Sequence, residues 1–152
     1  MVEASRSNTA FAKTTQPTMG SVVDREALFA CLDGPPGRSV VWIAGPPGSG
    51  KTTLAATYLK ARRLQSVWYQ VDADDADPAS FFHYLRHAAG KLPGARARDL
   101  PAFSPQHSDD VPSFARSFFR QLFARATRPL VLVLDNLQAV PADSAQIGRA
   151  HV

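Results

Sequence analysis

The stretch that decides the fold is GPPGSGKTT, residues 45–53. It matches the phosphate-loop pattern G-x-x-x-x-G-K-[ST]. Glycines let the backbone turn tightly and direct its N–H groups inward, where they can hold phosphate oxygens. Lys51 can reach the β- and γ-phosphates of a nucleotide, and the Thr52 hydroxyl can bind Mg²⁺. The stretch therefore predicts a site for ATP and Mg²⁺ with these residues: Gly45, Pro46, Pro47, Gly48, Ser49, Gly50, Lys51, Thr52 and Thr53.

The segments on either side of the loop have the residue types that a phosphate loop requires. SVVWIAG, residues 39–45, is an apolar, β-branched run that ends in glycine and predicts a buried strand. TTLAATYLKARRL, residues 52–64, has helical preferences, and the positive end of such a helix would point at the phosphates. A chance glycine loop is the alternative, but the flanking strand and helix favour a true nucleotide site.

A carboxylate follows another apolar run further along the chain. In LVLVLDNLQ, residues 130–138, five apolar residues lead into Asp135. A strand buried on both faces can deliver such a carboxylate to Mg²⁺, directly or through water. The alternative is an aspartate that caps a turn, which is common for Asp-Asn. With the phosphate loop present, we interpret Asp135 as a metal ligand and assign Lys51 and Asp135 to catalysis of any hydrolysis.

The remaining elements predict an α/β fold. DREALFACLDG predicts a short helix with Asp24 as its N-cap and Gly34 at its end. SVWYQVDA, residues 66–73, predicts a strand, and Asp77-Pro78 predicts the start of a helix. A last helix over 111–127 has the following side chains facing inward: Phe114, Phe118, Phe119, Leu122, Phe123 and Ala126. Alternating strands and helices predict a P-loop NTPase three-layer sandwich with a parallel sheet, incomplete, with about three strands.

Composition limits the class of protein. The 152 residues are 45% apolar with a net charge of +4, which is typical of one globular domain. The basic residues are dispersed, so charge alone does not predict a DNA-binding face. No apolar run is long enough to cross a membrane, and the single cysteine, Cys31, excludes an internal disulfide, so we expect a cytoplasmic protein. We expect a flexible N-terminal arm over 1–20 and a partial P-loop NTPase domain over 21–146.

Several weaker candidates have simpler explanations. His83 and His87 share a helix face as zinc ligands can, but no third ligand is evident, so two histidines on a polar face are favoured. The acidic cluster at 72–77 lacks the glycine and the closing glutamate of a calcium loop. We interpret Asp77 as a helix cap and the other aspartates as solvated, although Asp72 ends a strand at the same sheet edge as Asp135. A solvated basic face is also predicted, with partner docking as the alternative: Arg116, Arg120, Arg125 and Arg128.

Several stretches together resemble the N-terminal ATPase domain of STAND proteins, the signal-transduction ATPases with numerous domains. The resemblance is nearest to large LuxR-type, maltose-activator-like bacterial transcriptional regulators. It is carried by FAKTTQP, VVDREALFACLD, the phosphate loop, LVLVLDNLQAV and, most specifically, VWYQVDADDADPASFFHYLRHAA, which together span about residues 11–145. The resemblance places Arg25 near the nucleotide. It also implies ATP-dependent self-association of the full-length protein, and DNA contact only through a C-terminal domain that this sequence lacks.

The residue after Asp135 bears on the rate of hydrolysis. AAA+ machines typically place glutamate there to polarise the attacking water, whereas Asn136 cannot accept a proton as a carboxylate does. Several STAND proteins resemble this Leu-Asp-Asn form and act as slow switches. The resemblance therefore implies a regulatory switch that binds ATP and hydrolyses it slowly or with a partner.

Other readings stay open. An AAA+ motor or a phosphotransferase is one alternative, although a phosphotransferase needs a lid, for which the Pro-rich loop 93–110 with Arg96 and Arg98 is the only candidate. A non-functional truncated fragment is another, because the family has further strands, and unpaired strand edges favour aggregation. The last six residues, IGRAHV, match the translation of a common sequencing adapter, so we expect residues 147–152 to be a non-native tail, with an ordinary polar tail as the alternative.

Overall fold

A computed structural model describes residues 12–20, 25–35, 40–94 and 96–140. These residues form two compact units. The loop unit contains the described residues of 16–64, and the sheet unit contains 12–15 with the described residues of 65–140. The predicted tail at 147–152 and the predicted N-cap Asp24 lie outside the described residues.

Two helices build the loop unit. Helix α1 spans Glu26–Asp33 and helix α2 spans Lys51–Ala61. Gly34, with φ 53°, follows the end of α1 as predicted, whereas Arg25 rather than Asp24 stands at its N-cap position. The Arg62 guanidinium joins the two helices by ion pairs, since it lies 2.7 Å from carboxylate oxygens of both Glu26 and Asp33.

A strand was predicted over 39–45, and residues 40–45, the described part of that segment, do not form one. Residues 40–46 have no regular structure, and Val40, Val41 and Trp42 are 64%, 44% and 73% exposed. A strand is completed by hydrogen bonds from a neighbour, and among the described residues none pairs with this segment. Apolar, β-branched composition predicted a strand here, but composition supplies no partner.

The sheet unit contains a parallel pair of strands. Strand β1 spans Gln65–Gln70 and strand β2 spans Leu130–Asp135, with Gln65 opposite Leu130 and Gln70 opposite Asp135. The α/β class with a parallel sheet is confirmed, with two strands described instead of about three. Strand β2 is half-buried along its whole length, so the prediction of burial on both faces was wrong. Within the described residues β2 pairs only with β1, which leaves its other edge unpaired.

Helices α3 (Pro78–Ala89) and α4 (Val111–Ala124) pack on one face of β1. Asp77 caps α3 as predicted, since its carboxylate accepts from the Ala79 and Ser80 N–H groups at 3.3 and 3.0 Å. Phe123, predicted to face inward, is 46% exposed. The core is largely aromatic and aliphatic, and its most buried members are Val67, Tyr69, Val71, Phe81, Phe82, Leu85 and Phe118.

Residues 12–15 lie within the region predicted as a flexible arm, yet two of them are packed. Lys13 is 7% and Thr14 is 5% exposed, and both belong to the sheet unit. The Lys91 ammonium donates to the Thr14 carbonyl and hydroxyl at 2.9 and 2.6 Å. The rest of the predicted arm up to residue 11 lies outside the described residues. No helix in the described ranges has both the length and the apolar content to cross a bilayer.

Candidate functional site

The phosphate loop has the backbone geometry that its glycines permit. Gly48 and Gly50 have φ of 76° and 81°, a left-handed conformation that side chains other than glycine rarely adopt. The Ser49 N–H donates to the Pro46 carbonyl at 3.2 Å and closes a turn. Helix α2 begins at Lys51, and its N-cap residue, Gly50, makes no side-chain cap. The first turn of α2 can therefore direct its N–H groups and its positive dipole end at an anion.

Lys51 and Gly45 show how tightly the loop is wound. The Lys51 ammonium donates to the Gly45 and Pro46 carbonyls at 2.8 and 2.9 Å, so the loop curls around this side chain. A Cβ atom at Gly45 would lie 2.8 Å from the Ser49 Oγ. A side chain at 45 would force the Ser49 hydroxyl to turn away, whereas glycine at 48 and 50 is favoured by its positive φ.

Arg25 lies beside the loop. Its two terminal guanidinium nitrogens are each 3.7 Å from the position that a Cβ on Gly50 would occupy. Arg25 is exposed and directly precedes α1. A second cation thus stands next to Gly50 at the start of α2, in addition to the helix dipole.

Asp135 ends β2, and the next residue ties the two strands together. The Val71 N–H donates to the Asp135 carbonyl at 2.8 Å. Asn136 is left-handed, with φ 64°, and its amide donates to the Val71 carbonyl at 3.0 Å. Its amide oxygen accepts from Gln138 at 2.7 Å. Asn136 therefore has a structural task at the carboxyl edge of the sheet, which the sequence did not indicate.

The predicted site residues are divided between the two units. The loop unit brings together Arg25 and the whole stretch 45–53, with Thr52 and Thr53 half-buried in the first turn of α2. Asp135 is half-buried and belongs to the sheet unit.

A buried polar network was missed at the end of β1. Asp75, predicted to be solvated, is 0% exposed. Its carboxylate accepts from the Tyr69 hydroxyl at 2.6 Å, from the Asp72 N–H at 2.8 Å and from the Lys13 ammonium at 3.3 Å. Lys13 also pairs with the Asp72 carboxylate at 2.6 Å and lies 4.9 Å over the Tyr84 ring. The prediction failed because the partner of Asp75 is 62 residues away in the sequence.

The protonation of this network follows from its contacts. Burial alone would lower the pKa of Lys13, but the hydrogen bond to Asp72 and the charges of Asp75 and Asp72 outweigh it, so the pKa is raised. Burial, followed by the hydrogen bond to Asp75, raises the pKa of Tyr69. At neutral pH the ammonium is therefore charged and the phenol is protonated, as the hydrogen bonds require.

The weaker candidates remain surface residues. His83 and His87 are both exposed, and their ring centroids are 4.8 Å apart. Burial, and then the charges of His87 and Arg86, lower the pKa of His83. In the part of the chain that the structure describes, no group of three or more metal-binding side chains occurs. The arginines of the predicted basic face are all exposed: Arg116, Arg120, Arg125 and Arg128.

Comparisons with known proteins agree with this geometry. Residues 23–150 match the sequence profile of the AAA ATPase domain. The HTH-type transcriptional regulator MalT of Serratia proteamaculans is 30% identical over 135 residues, which cover 86% of this chain and 14% of MalT. Protein RecA of Chlamydia abortus is 32% identical over 125 residues, and that of Chlamydia trachomatis serovar D is 34% identical over 126. Each RecA match covers 80% of this chain and 32% of RecA, so the chain spans under a third of these relatives. No solved structure matches the chain.

Proposed function

The chain belongs to the AAA ATPase domain family, and on that premise we propose that it is the nucleotide switch of a transcriptional regulator. It is a P-loop ATPase domain, and such domains bind nucleotide. The observation that carries the proposal is the loop of residues 45–53, curled around Lys51 at the uncapped start of α2. In this proposal the loop binds the phosphates of ATP or ADP, and Arg25 adds a second positive charge.

The donor set at the two predicted metal ligands fits Mg²⁺. Thr52 supplies a hydroxyl and Asp135 a carboxylate, and oxygen ligands of this kind are those that Mg²⁺ prefers, together with phosphate and water. The ion would neutralise charge that develops on the phosphates during transfer. Lys51 would stabilise the same charge, while Thr52 and Asp135 would hold the ion in place.

Asn136 supports slow turnover. The position after the strand aspartate holds an amide, which cannot act as a general base. That amide also donates to the Val71 carbonyl at 3.0 Å, so it is engaged in holding the two strand ends together. The proposed cycle is a long-lived ATP-bound state that hydrolysis, alone or with a partner, returns to the ADP-bound state.

The regulator part of the proposal rests on the similarity to MalT, whose name describes an HTH-type transcriptional regulator. The aligned region covers 14% of MalT, so we assign DNA contact and ATP-dependent self-association to the larger protein and not to this domain alone. A cytoplasmic location accords with that role.

The phosphotransferase alternative has no comparable support. Its only candidate lid, the loop 93–110, is packed against the sheet unit. Leu100 is 5% exposed, its carbonyl accepts from Arg86 at 3.0 Å, and the Phe103 ring stacks 5.8 Å from that of Phe82. A lid that closes over a substrate requires a segment that can move, and this one is held by the core.

The proposal is tested by nucleotide binding and turnover in the same preparations. We compare the wild-type chain with Lys51→Ala, and with Lys60→Ala as the matched control on the exposed face of the same helix. Mg-ATP at about 100 times its Kd should stabilise the wild type and Lys60→Ala by about 2.7 kcal/mol, and Lys51→Ala much less. Steady-state hydrolysis should stay well below the median enzyme turnover of about 10 s⁻¹.

Two results would count against the proposal in different ways. If the wild type hydrolyses ATP at typical enzyme rates and Lys51→Ala abolishes this activity, the chain is an active ATPase and not a slow switch. If the wild-type chain is folded but Mg-ATP does not stabilise it, the proposal that it binds nucleotide is refuted.

A further inference from the structure

Residues 12–15 form what we call the N-terminal clasp of the sheet unit. Lys13 pairs with the Asp72 carboxylate at 2.6 Å and with that of Asp75 at 3.3 Å. At the next residue, the Lys91 ammonium donates hydrogen bonds to the Thr14 carbonyl and hydroxyl at 2.9 and 2.6 Å. The clasp is therefore fixed at two successive residues, mainly by charged hydrogen bonds.

The clasp contacts a rigid polar network. Asp75 is fully buried and accepts three hydrogen bonds, from Tyr69, Asp72 and Lys13. A buried network whose members are all paired fixes the geometry of the backbone that carries it. The backbone in question is the turn that follows β1, since Asp72 caps the 3₁₀ turn Ala73–Ala76.

Val71, the residue before the cap of that turn, is joined directly to Asp135. The Val71 N–H donates to the Asp135 carbonyl, and the Val71 carbonyl accepts from Asn136. Gln70 lies opposite Asp135 in the parallel register, and Asp72 follows in extended conformation. Alternate residues of a strand share a face, so Asp72 continues the face on which Gln70 and Asp135 lie. The contacts thus run without a break from Lys13 through Asp72 and Val71 to Asp135.

We propose that Lys13 is a positioning residue for Asp135, the carboxylate that the proposed function assigns to Mg²⁺. The clasp is paired with the turn after β1 through Lys13. Val71, which leads into that turn, is hydrogen-bonded to Asp135 at the end of β2. This inference rests on the proposed function, because it concerns how tightly Mg²⁺ couples to nucleotide binding. Lys13 itself need not touch the nucleotide or the ion.

The direction of the change in Mg²⁺ binding distinguishes a positioning role of Lys13 from a direct electrostatic effect of its charge. Lys13→Met removes a positive charge near a carboxylate, and through space this change favours the binding of a cation. Loss of position does the opposite, because it leaves Asp135 less well placed for Mg²⁺. The two explanations therefore predict changes in opposite directions for the same variant.

The experiment measures the Kd of ATP with saturating Mg²⁺ and with EDTA, and takes their ratio as the Mg²⁺ coupling. The variants are Lys13→Met, Lys91→Met and, as a matched control, the exposed Lys60→Met. We expect Lys13→Met to reduce the Mg²⁺ coupling about fivefold to tenfold while the Kd in EDTA stays within about twofold, in the range of ordinary coupling energies. Lys91→Met, which removes the Lys91 bonds to Thr14 but leaves Lys13 paired, should act in the same direction and more weakly.

Other outcomes are equally definite. An unchanged or larger Mg²⁺ coupling in Lys13→Met overturns the proposal, and so does an equal loss of affinity with and without Mg²⁺. If Lys13→Met does not fold, an unchanged coupling in Lys91→Met overturns it. If the wild type binds ATP with no dependence on Mg²⁺, the assignment of Asp135 in the proposed function fails first, before any variant is compared.

Discussion

The buried carboxylate of Asp75 gives the sharpest test of the fold. Asp75→Ala removes the acceptor of three donors at once: the Tyr69 hydroxyl, the Asp72 N–H and the Lys13 ammonium. Tyr69 is 0% exposed, so water cannot replace the lost acceptor without a local opening. Removing one partner of a buried ion pair typically costs about 3–5 kcal/mol. Lys13 keeps Asp72 at 2.6 Å, so we expect a loss near the lower end, about 3 kcal/mol.

The assay is urea and thermal unfolding followed by tryptophan fluorescence. Trp68 lies in β1 and is 3% exposed, so a Trp42→Phe background makes its emission a reporter for the sheet unit. A loss of about 3 kcal/mol corresponds to a fall in Tm of roughly 6–12 °C for a chain of this size. Asp74→Ala is the matched control. Its side chain is exposed in the same turn, and its loss should change stability by less than about 0.5 kcal/mol. If the unfolding free energy of Asp75→Ala is within about 1 kcal/mol of that of the control, Asp75 is not the buried, fully paired group described above.

Two further predictions concern the phosphate loop and alkaline pH. Gly45→Ala should weaken ATP binding by up to about tenfold, because the Ser49 Oγ, which would lie 2.8 Å from the new Cβ, must turn away from it. Adding Ser49→Ala removes that oxygen and should restore part of the affinity in titration calorimetry; a double variant as weak as Gly45→Ala would refute the steric reason. The raised pKa values of Lys13 and Tyr69 mean that their contribution to stability is complete below the unfolded values of about 10 and is lost as pH rises through the folded ones. Unfolding free energies should therefore be level to about pH 9.5 and fall above pH 10, and Tyr69→Phe should make that fall shallower. An equal fall of the unfolding free energy with pH in the wild type and in Tyr69→Phe would contradict the contribution of Tyr69.

Local signals in the sequence predicted local structure well. Asp77-Pro78 predicted the start of α3, and the structure has both the cap and the proline at the first position. The glycines of the loop predicted a tight turn, and in the structure Gly48 and Gly50 are left-handed. These features depend on a few adjacent residues, and propensity and stereochemistry act at that range.

Features that depend on distant partners were not predictable in the same way. The segment 39–45 has the composition of a strand, but a strand also needs a neighbour to complete its hydrogen bonds, and its residues 40–45 lack one in the described chain. Asp75 looked like one more solvated acid because its counter-ion, Lys13, lies in a segment that the sequence assigned to a mobile arm. Phe123 falls on the apolar stripe of α4, yet it is exposed, because periodicity gives the direction of a side chain and not the extent of the surface that covers it.

The backbone at Asn136 gives the slow turnover that we propose a reason in the fold, in addition to the missing acid. Its backbone is left-handed, with φ 64° and ψ 30°, a conformation that asparagine tolerates better than most residues. Glutamate at this position would bear roughly 1–2 kcal/mol of backbone strain, and it would lose the 3.0 Å bond from the amide to the Val71 carbonyl. The same bond holds the end of β2 beside the turn that carries Asp72. A second acid after Asp135 would therefore loosen the edge at which Asp135 stands, and this cost gives the slow turnover of the proposed switch a structural reason at residue 136.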